Sequence, residues 1–218
     1  MRLLKSLVFS FVMLSMAIAV SAQNSRDVVP LNPPQPVEND GKIEVLEFFA
    51  YGCIHCFNLE PKFEEWIKRQ PADVKVRRVP AAFAIRGVDS IQIFYTLEAM
   101  GLLDKLHYKV FEAINTENII LGNPATLNQW LTKQGVDPKK YEEVQKSFSV
   151  QTKIQRARKM SEDYKITATP MLVIMGKHKL EQLDGAERLF GNVDRLINEA
   201  RATLKATPAP VSATRSKK

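Results

Sequence analysis

Apolar residues along the chain change their period several times, and the changes mark the elements. Ile43, Val45, Leu46, Phe48 and Phe49 form a near-continuous apolar run, the pattern of a strand covered on both faces. Leu59, Phe63, Trp66 and Ile67 then recur at three- and four-residue steps, which predicts a helix. Pro61 falls within it, where it removes one backbone hydrogen bond and is expected to kink the helix. Val74 and Val76 alternate with charged residues and Val79 follows, predicting a second strand that stops at Pro80. Strand, helix, strand at these lengths is a βαβ unit with a right-handed crossover.

A long helical stretch comes next. Ile91, Phe94, Tyr95 and Ala99 form one stripe closed by Gly101, and Leu103, Leu106, Val110, Phe111 and Ile114 form another. Asn123-Pro124 is an N-cap with a first-turn proline, ahead of Leu127, Trp130 and Leu131. Asp137-Pro138 repeats that signal for one longer helix carrying Tyr141, Val144, Phe148 and Ala157 on its inner side. Lys153, Arg156, Arg158 and Lys159 form its solvated face. After Tyr164 the run Met171 to Met175 is a strand, Gly176-Lys177 turns it, and His178 to Leu183 pairs back as a hairpin. A last helix begins near Glu187 with Leu189, Val193, Leu196, Ile197 and Ala200 on one face. The order is βαβ, four helices, then ββα.

Both ends read differently. Arg2 and Lys5 precede an apolar stretch from Leu7 to Val20, and Val20-Ser21-Ala22 offers the small residues of a cleavage site. Residues 1–22 are therefore expected to be a secretory signal peptide, with a mature start near Gln23 outside the cytoplasm. The stretch is short for a membrane span, which needs about 20 residues. Residues 23–40, with Pro30, Pro33, Pro34 and Pro36, read as an extended lead-in, with room for a peripheral strand. Residues 206–218 mix Pro, Ala, Ser and Thr with Arg215, Lys217 and Lys218 and bury nothing. The net charge of +7 falls to +5 once Arg2 and Lys5 leave. Composition is that of an ordinary folded protein, 45% hydrophobic and 25% charged. No basic run interleaved with aromatics suggests nucleic-acid binding, and no GxGxxG, phosphate loop or HExxH is present.

The candidate chemistry lies where the first strand meets the first helix. Cys53 and Cys56 are the only cysteines, at CxxC spacing in Cys53-Ile54-His55-Cys56. Such a pair is a redox disulfide, a structural staple or half of a metal site. As a staple it closes so small a loop that the unfolded chain loses little entropy. A structural metal site needs four ligands, and His107 or His178 would leave it short. As a redox pair, Cys53 gains at the helix N-terminus, where backbone N–H groups and the dipole favour a thiolate. Cys56 lies one turn further in. His107 and His178 read as surface histidines, and Glu60 as an exposed helix carboxylate that could pair with a nearby base.

The Leu46-Glu47-Phe48-Phe49 strand, the Cys53-Ile54-His55-Cys56 centre and Thr169-Pro170 before an apolar strand, in that order, resemble the DsbA-type thiol:disulfide oxidoreductases. The resemblance covers about residues 41 to 205. It implies an α/β thioredoxin-like fold, βαβ…ββα, formed by 41–86 and 165–205, with an all-helical domain inserted at 87–164. It implies a periplasmic enzyme that oxidises reduced secreted proteins, uses its own Cys53–Cys56 disulfide with no other cofactor or metal, and works as a monomer. A DsbB-like, quinone-linked protein of the inner membrane would reoxidise it. Cys53 would be the attacking and attacked sulfur, Cys56 the resolving one, and His55 a cationic aid to the Cys53 thiolate. Pro170 would be a cis-proline facing the cysteines, with Thr169 and Ile54 toward substrate, and Glu47 a buried acid below Cys56 that exchanges its proton. Ile54 replaces the proline of the best-known DsbA centre, which shifts redox strength, while His55 keeps the protein on the oxidant side. An isomerase or reductase of the same fold, a metal-binding CxxC module and a non-enzymatic chaperone are the alternatives.

Overall fold

A computed structural model describes residues 28–38, 40–181 and 185–206. The expected signal peptide, most of the tail, and Leu183 of the hairpin lie outside the described residues. Among these residues five strands form one mixed sheet in the order β1-β5-β4-β2-β3, from β1 (Val28–Pro30), β2 (Ile43–Phe49), β3 (Val74–Pro80), β4 (Met171–Ile174) and β5 (His178–Glu181). β2 runs parallel to β3 and antiparallel to β4, and all seven of its residues are buried. That is why its apolar run is nearly unbroken: both faces are covered. The lead-in supplies β1, which pairs with β5.

Seven helices surround the sheet among the described residues: α1 (Ile54–Lys68), α2 (Ser90–Ala99), α3 (Leu103–Asn115), α4 (Pro124–Lys133), α5 (Pro138–Gln145), α6 (Phe148–Asp163) and α7 (Ala186–Ala206). Ile43 and Val45 of β2 pack with Leu59, Phe63 and Trp66 of α1 and with Val193 and Leu196 of α7. Leu46 and Phe48 point the other way, onto Ile91 of α2 and Val150, Ile154 and Ala157 of α6. The period-two alternation of β2 thus assigns α1 and α7 to one face and α2 and α6 to the other. A third cluster joins Phe49, Tyr51 and both cysteines to α2, α3, α4 and Tyr141 of α5.

Three expectations change. The long helix after Asp137-Pro138 is two helices, because Ser147 starts a new one by accepting the N–H of Val150 at 3.4 Å. Phe148 is then the first residue of α6 and stands 88% exposed rather than buried. Five helices, not four, separate β3 from β4. Pro61 lies inside α1, which continues through it to Lys68.

On the α1 face, Phe63, Trp66 and Phe190 stack with rings 7–10° from parallel, and the Trp66 indole N–H donates to Asp194 at 2.9 Å. Phe63 is fully buried between its neighbours and the Arg78 guanidinium, 5.3 Å from its ring centre. Truncating a buried aromatic leaves a cavity its rigid neighbours do not fill. Phe63→Ala is expected to lower unfolding stability by about 3–5 kcal/mol, read as a lower urea midpoint at unchanged slope.

Candidate active site

The β2 strand ends at Phe49, and a short bend delivers Cys53 to the start of α1. The Cys53 N–H is bonded to the Ala50 carbonyl at 3.0 Å, and its own carbonyl accepts the first helical hydrogen bond, from Phe57, at 3.0 Å. Cys53 is the N-cap: its backbone is extended and its Sγ accepts the N–H of Cys56 at 3.4 Å. A sulfur there occupies the place of a capping oxygen. Gly52 is required beside it, since a Cβ at that position would lie 2.4 Å from the Ile85 carbonyl oxygen. That contact wedges the loop after β3 against the approach to the cysteines.

Both thiols are free and buried, Cys53 7% exposed and Cys56 fully enclosed. The Cys53 thiol donates to the Thr169 carbonyl at 3.3 Å, which brings the residues before β4 against the helix start. The Thr169–Pro170 peptide is cis, as is Asn32–Pro33. The Thr169 hydroxyl is buried with no hydrogen-bond partner among the described residues, and it acts on the Cys53 sulfur. The interaction with Cys56 does most to lower the pKa of Cys53. Burial opposes it, while Thr169 and the backbone N–H groups of Cys56 and His55 add to it; the result is a Cys53 pKa lowered to about 5. Burial, first, and then the neighbouring Cys53 push Cys56 well above the ordinary thiol range. The two sulfurs are thus strongly unequal. His55 is exposed, and its contribution to Cys53 in this geometry comes through its backbone N–H. Ile54 is 45% exposed beside the cysteine.

Glu47 lies on the α1 side of β2, 1% exposed, and its charge acts on Cys56. Its carboxylate is 3.2 Å from the Arg78 Nε, but neither oxygen receives a well-aligned hydrogen bond. Burial dominates and the carboxyl pKa rises to about 8, with the Arg78 charge opposing and Glu60 and Glu64 reinforcing. Arg78 holds a second and a third acid, Glu60 at 2.8 Å and Glu64 at 2.6 Å. Burial works against Glu60 ionising, yet His107 and Arg78 together hold its carboxyl below the usual range.

Two residues read as superficial belong to this network. Glu60 is 2% exposed and His107 8%. The His107 Nδ1 shares a 2.8 Å hydrogen bond with the Tyr51 hydroxyl, and its Nε2 lies 3.5 Å from Glu60. Phe49, Phe94 and Phe111 surround the imidazole edge to face, 5.3–5.8 Å away. Tyr51, one residue before Gly52, donates its N–H to Ser90 and accepts from Asn115 at its carbonyl, both at 2.8 Å. Arg78 and Tyr51 are site residues that the sequence reading missed. A charged pair inside an alternating strand, opposite an acid in the neighbouring strand, was the available signal for Arg78.

Residues 79–196 match the model of the DSBA-like thioredoxin domain. The match begins after the cysteines, but the curated relatives align across them at full-domain length. Thiol:disulfide interchange protein DsbA of Bordetella parapertussis is 42% identical over 188 residues, 85% of this chain and 90% of that protein. The chain belongs to the DsbA family. The Pseudomonas aeruginosa DsbA is 37% identical over 184 residues, 83% of this chain and 86% of its own length. Its crystal structure superimposes with a TM-score of 0.76 over 82% of this chain and 94% of that one. A DsbA structure from Xylella fastidiosa, 27% identical, gives 0.74 over 81% and 96%. The fold is the thioredoxin-like DsbA fold, and the activity is that of a protein disulfide oxidoreductase.

Two titrations follow from these environments. Iodoacetamide alkylation of the reduced protein is expected to reach half its maximal Cys53 rate near pH 5, and Cys56→Ala should move that midpoint up by removing the side-chain donor that does most to stabilise the thiolate. In the reduced protein a Cys53 pKa depressed from 9 to about 5 adds folding stability that is fully present above pH 9 and gone below pH 5. Glu47 runs oppositely. Its folded pKa is raised, so wild type loses stability as pH climbs from about 4.5 toward 8. Glu47→Gln is expected to flatten that decline, gaining roughly 1–4 kcal/mol over wild type at the alkaline end, measured by urea unfolding across pH.

Proposed function

We propose that the protein is a dithiol oxidase that donates a Cys53–Cys56 disulfide to reduced, unfolded secreted proteins. The observation carrying this is the unequal pair: a thiolate strongly favoured at Cys53 and strongly disfavoured at Cys56. A centre that stabilises its reduced form holds its disulfide loosely, and so passes it on.

In the proposed reaction a substrate thiolate attacks the Cys53 sulfur of the disulfide. A bond forms between substrate and Cys53, and Cys56 leaves with the electron pair. Cys56 cannot remain charged in its buried site and takes a proton; Glu47, with its pKa raised to about 8 and so mostly protonated at neutral pH, is the proposed donor. A second substrate thiolate then attacks the first substrate sulfur and expels Cys53 as a stable thiolate. Two electrons have moved from substrate to the cysteine pair. The Thr169 backbone beside Cys53 is suited to pair with an extended substrate segment, with Ile54 as an exposed apolar contact. Backbone pairing asks for no particular sequence, which suits many unfolded substrates.

The expected signal peptide and the chemistry together support a periplasmic location, where disulfides persist. No resident cofactor beyond the cysteine pair is proposed. A DsbB-like quinone-linked membrane protein is the proposed electron acceptor, and the protein is proposed to act as a monomer. The Cys53 environment favours the oxidase over an isomerase or reductase.

Purified oxidised protein is expected to introduce disulfides into a reduced, unfolded protein, followed by mass spectrometry of alkylated products. Cys53→Ser should abolish transfer, and Cys56→Ser loaded with glutathione as a Cys53 mixed disulfide should release glutathione to the attacking substrate thiolate and accumulate the substrate adduct through Cys53. Full activity of Cys53→Ser would refute the mechanism, and a reduction potential as low as that of a reductase would refute the direction.

A further inference from the structure

Among the described residues β3 is an edge strand, with β2 on one side and no strand on the other. The hydrogen bonds at its two ends reveal which groups face outward. Ile43 N–H bonds to the Asp73 carbonyl and Ala81 N–H to the Phe49 carbonyl, each at 2.8 Å. In a parallel pair a residue's N–H and C=O point to the same side. Residues 73, 75, 77, 79 and 81 therefore face β2, while Val76 and Arg78 turn both main-chain groups away from it. Val74 has its N–H bonded to Pro71, and Pro80 has no N–H. No hydrogen bond is found to the outward N–H and C=O groups of Val76 and Arg78 among the described residues.

These groups form the floor of a groove of about 880 Å³ lined by Val76–Val79. One wall is α1, through Glu60 and Glu64, another is α2 and α6, through Tyr95, Arg156 and Met160, and α3 lines the groove as well, through Asp104, His107 and Tyr108. Because α1 lies on one face of the sheet and α2 and α6 on the other, the groove occupies the plane of the sheet itself. Charged side chains often guard such edges, but here they are drawn aside. Arg78 is held by Glu47, Glu60 and Glu64, Arg77 by Glu44 at 3.0 Å, and Lys75 by Asp40 at 3.0 Å. Lys153 on the far wall is paired with Glu98 at 2.7 Å. Arg156 is exposed on the same wall with no carboxylate partner among the described residues.

We propose that this groove is a second polypeptide-docking site, in which an extended segment of a partner chain adds as a sixth strand along β3. Its backbone pairs with Val76 and Arg78, an apolar side chain meets Tyr95 and Met160, and an acidic residue meets Arg156. The site is separate from Thr169, which lies beyond β2 on the β4 side of the sheet. It involves no cysteine, so it stands or falls independently of the redox reading.

The probe is a capped, cysteine-free, valine- and threonine-rich peptide bearing one glutamate, titrated into the full-length protein and followed by amide chemical shifts and hydrogen exchange. Val76 and Arg78 amides are expected to shift and gain protection. Val76→Pro removes only an outward donor and leaves the β2 ladder intact, a position where an edge strand tolerates proline. It is expected to weaken binding about threefold to tenfold, the worth of one backbone hydrogen bond. Arg156→Glu, which keeps the strand untouched, should weaken the glutamate peptide several-fold and spare its glutamine counterpart. Perturbations confined to the surroundings of Cys53 and Thr169, or undiminished binding by folded Val76→Pro and by Arg156→Glu, would overturn the proposal. Protection of Val76 and Arg78 that rises with protein concentration without peptide would overturn it too, by making a second copy the occupant.

Discussion

The site depends on the hold of Cys56 on the Cys53 sulfur, made most strongly by the Cys56 thiol and seconded by the Cys56 N–H. It is at once a helix cap and a redox device. As a cap it satisfies one of the donors that every helix leaves unpaired at its start. As a redox device it gives a sulfur anion a fixed, oriented donor that requires no rearrangement when charge appears. Cys56 lends Cys53 its thiol proton and its N–H, while its own sulfur is enclosed, where burial and the neighbouring Cys53 oppose ionisation. A single turn of helix thereby separates two chemically identical groups into one that ionises easily and one that resists.

Beneath that turn the acids are arranged by scarcity of donors. Arg78 is shared among Glu47, Glu60 and Glu64, and its best-aligned contacts go to the latter two. Glu47, the acid nearest the resolving thiol in effect, receives the poorest share and responds by holding a proton. Tyr51 and His107 add a second anchor on Glu60 from the helical side, so that α1, α3 and β3 meet around buried charge rather than around apolar contact alone.

Local patterns carried most of this to the reader of the sequence. Period-two and period-three-to-four runs located the strands and helices, because each element is covered on a predictable face. Glu47 stood out as a carboxylate in a run that otherwise reads as buried, and the family resemblance gave it its inward role. His107 did not stand out, since its burial depends on Tyr51, which is distant in sequence, and on rings from three different elements. Glu60 was misread for the same reason: its partner Arg78 belongs to the next strand. Ser147 was a legible signal left unread, a hydroxyl three residues before an N–H it caps. Missing it merged α5 and α6 and misplaced Phe148.

The contact between Gly52 and the Ile85 carbonyl has a wider meaning for how this architecture tolerates change. Main chain presses on main chain there, and no side chain intervenes that could shrink, swing or repack. The lead-in to the reactive sulfur is thus seated by hard-sphere geometry against the loop that opens the helical segment. Substitutions on the outer faces of α2 to α6, away from the cluster that packs on both cysteines, can drift in size and shape without nudging Cys53, so long as that loop keeps its path. The helical segment is free to diversify its surfaces while the chemistry it flanks stays put.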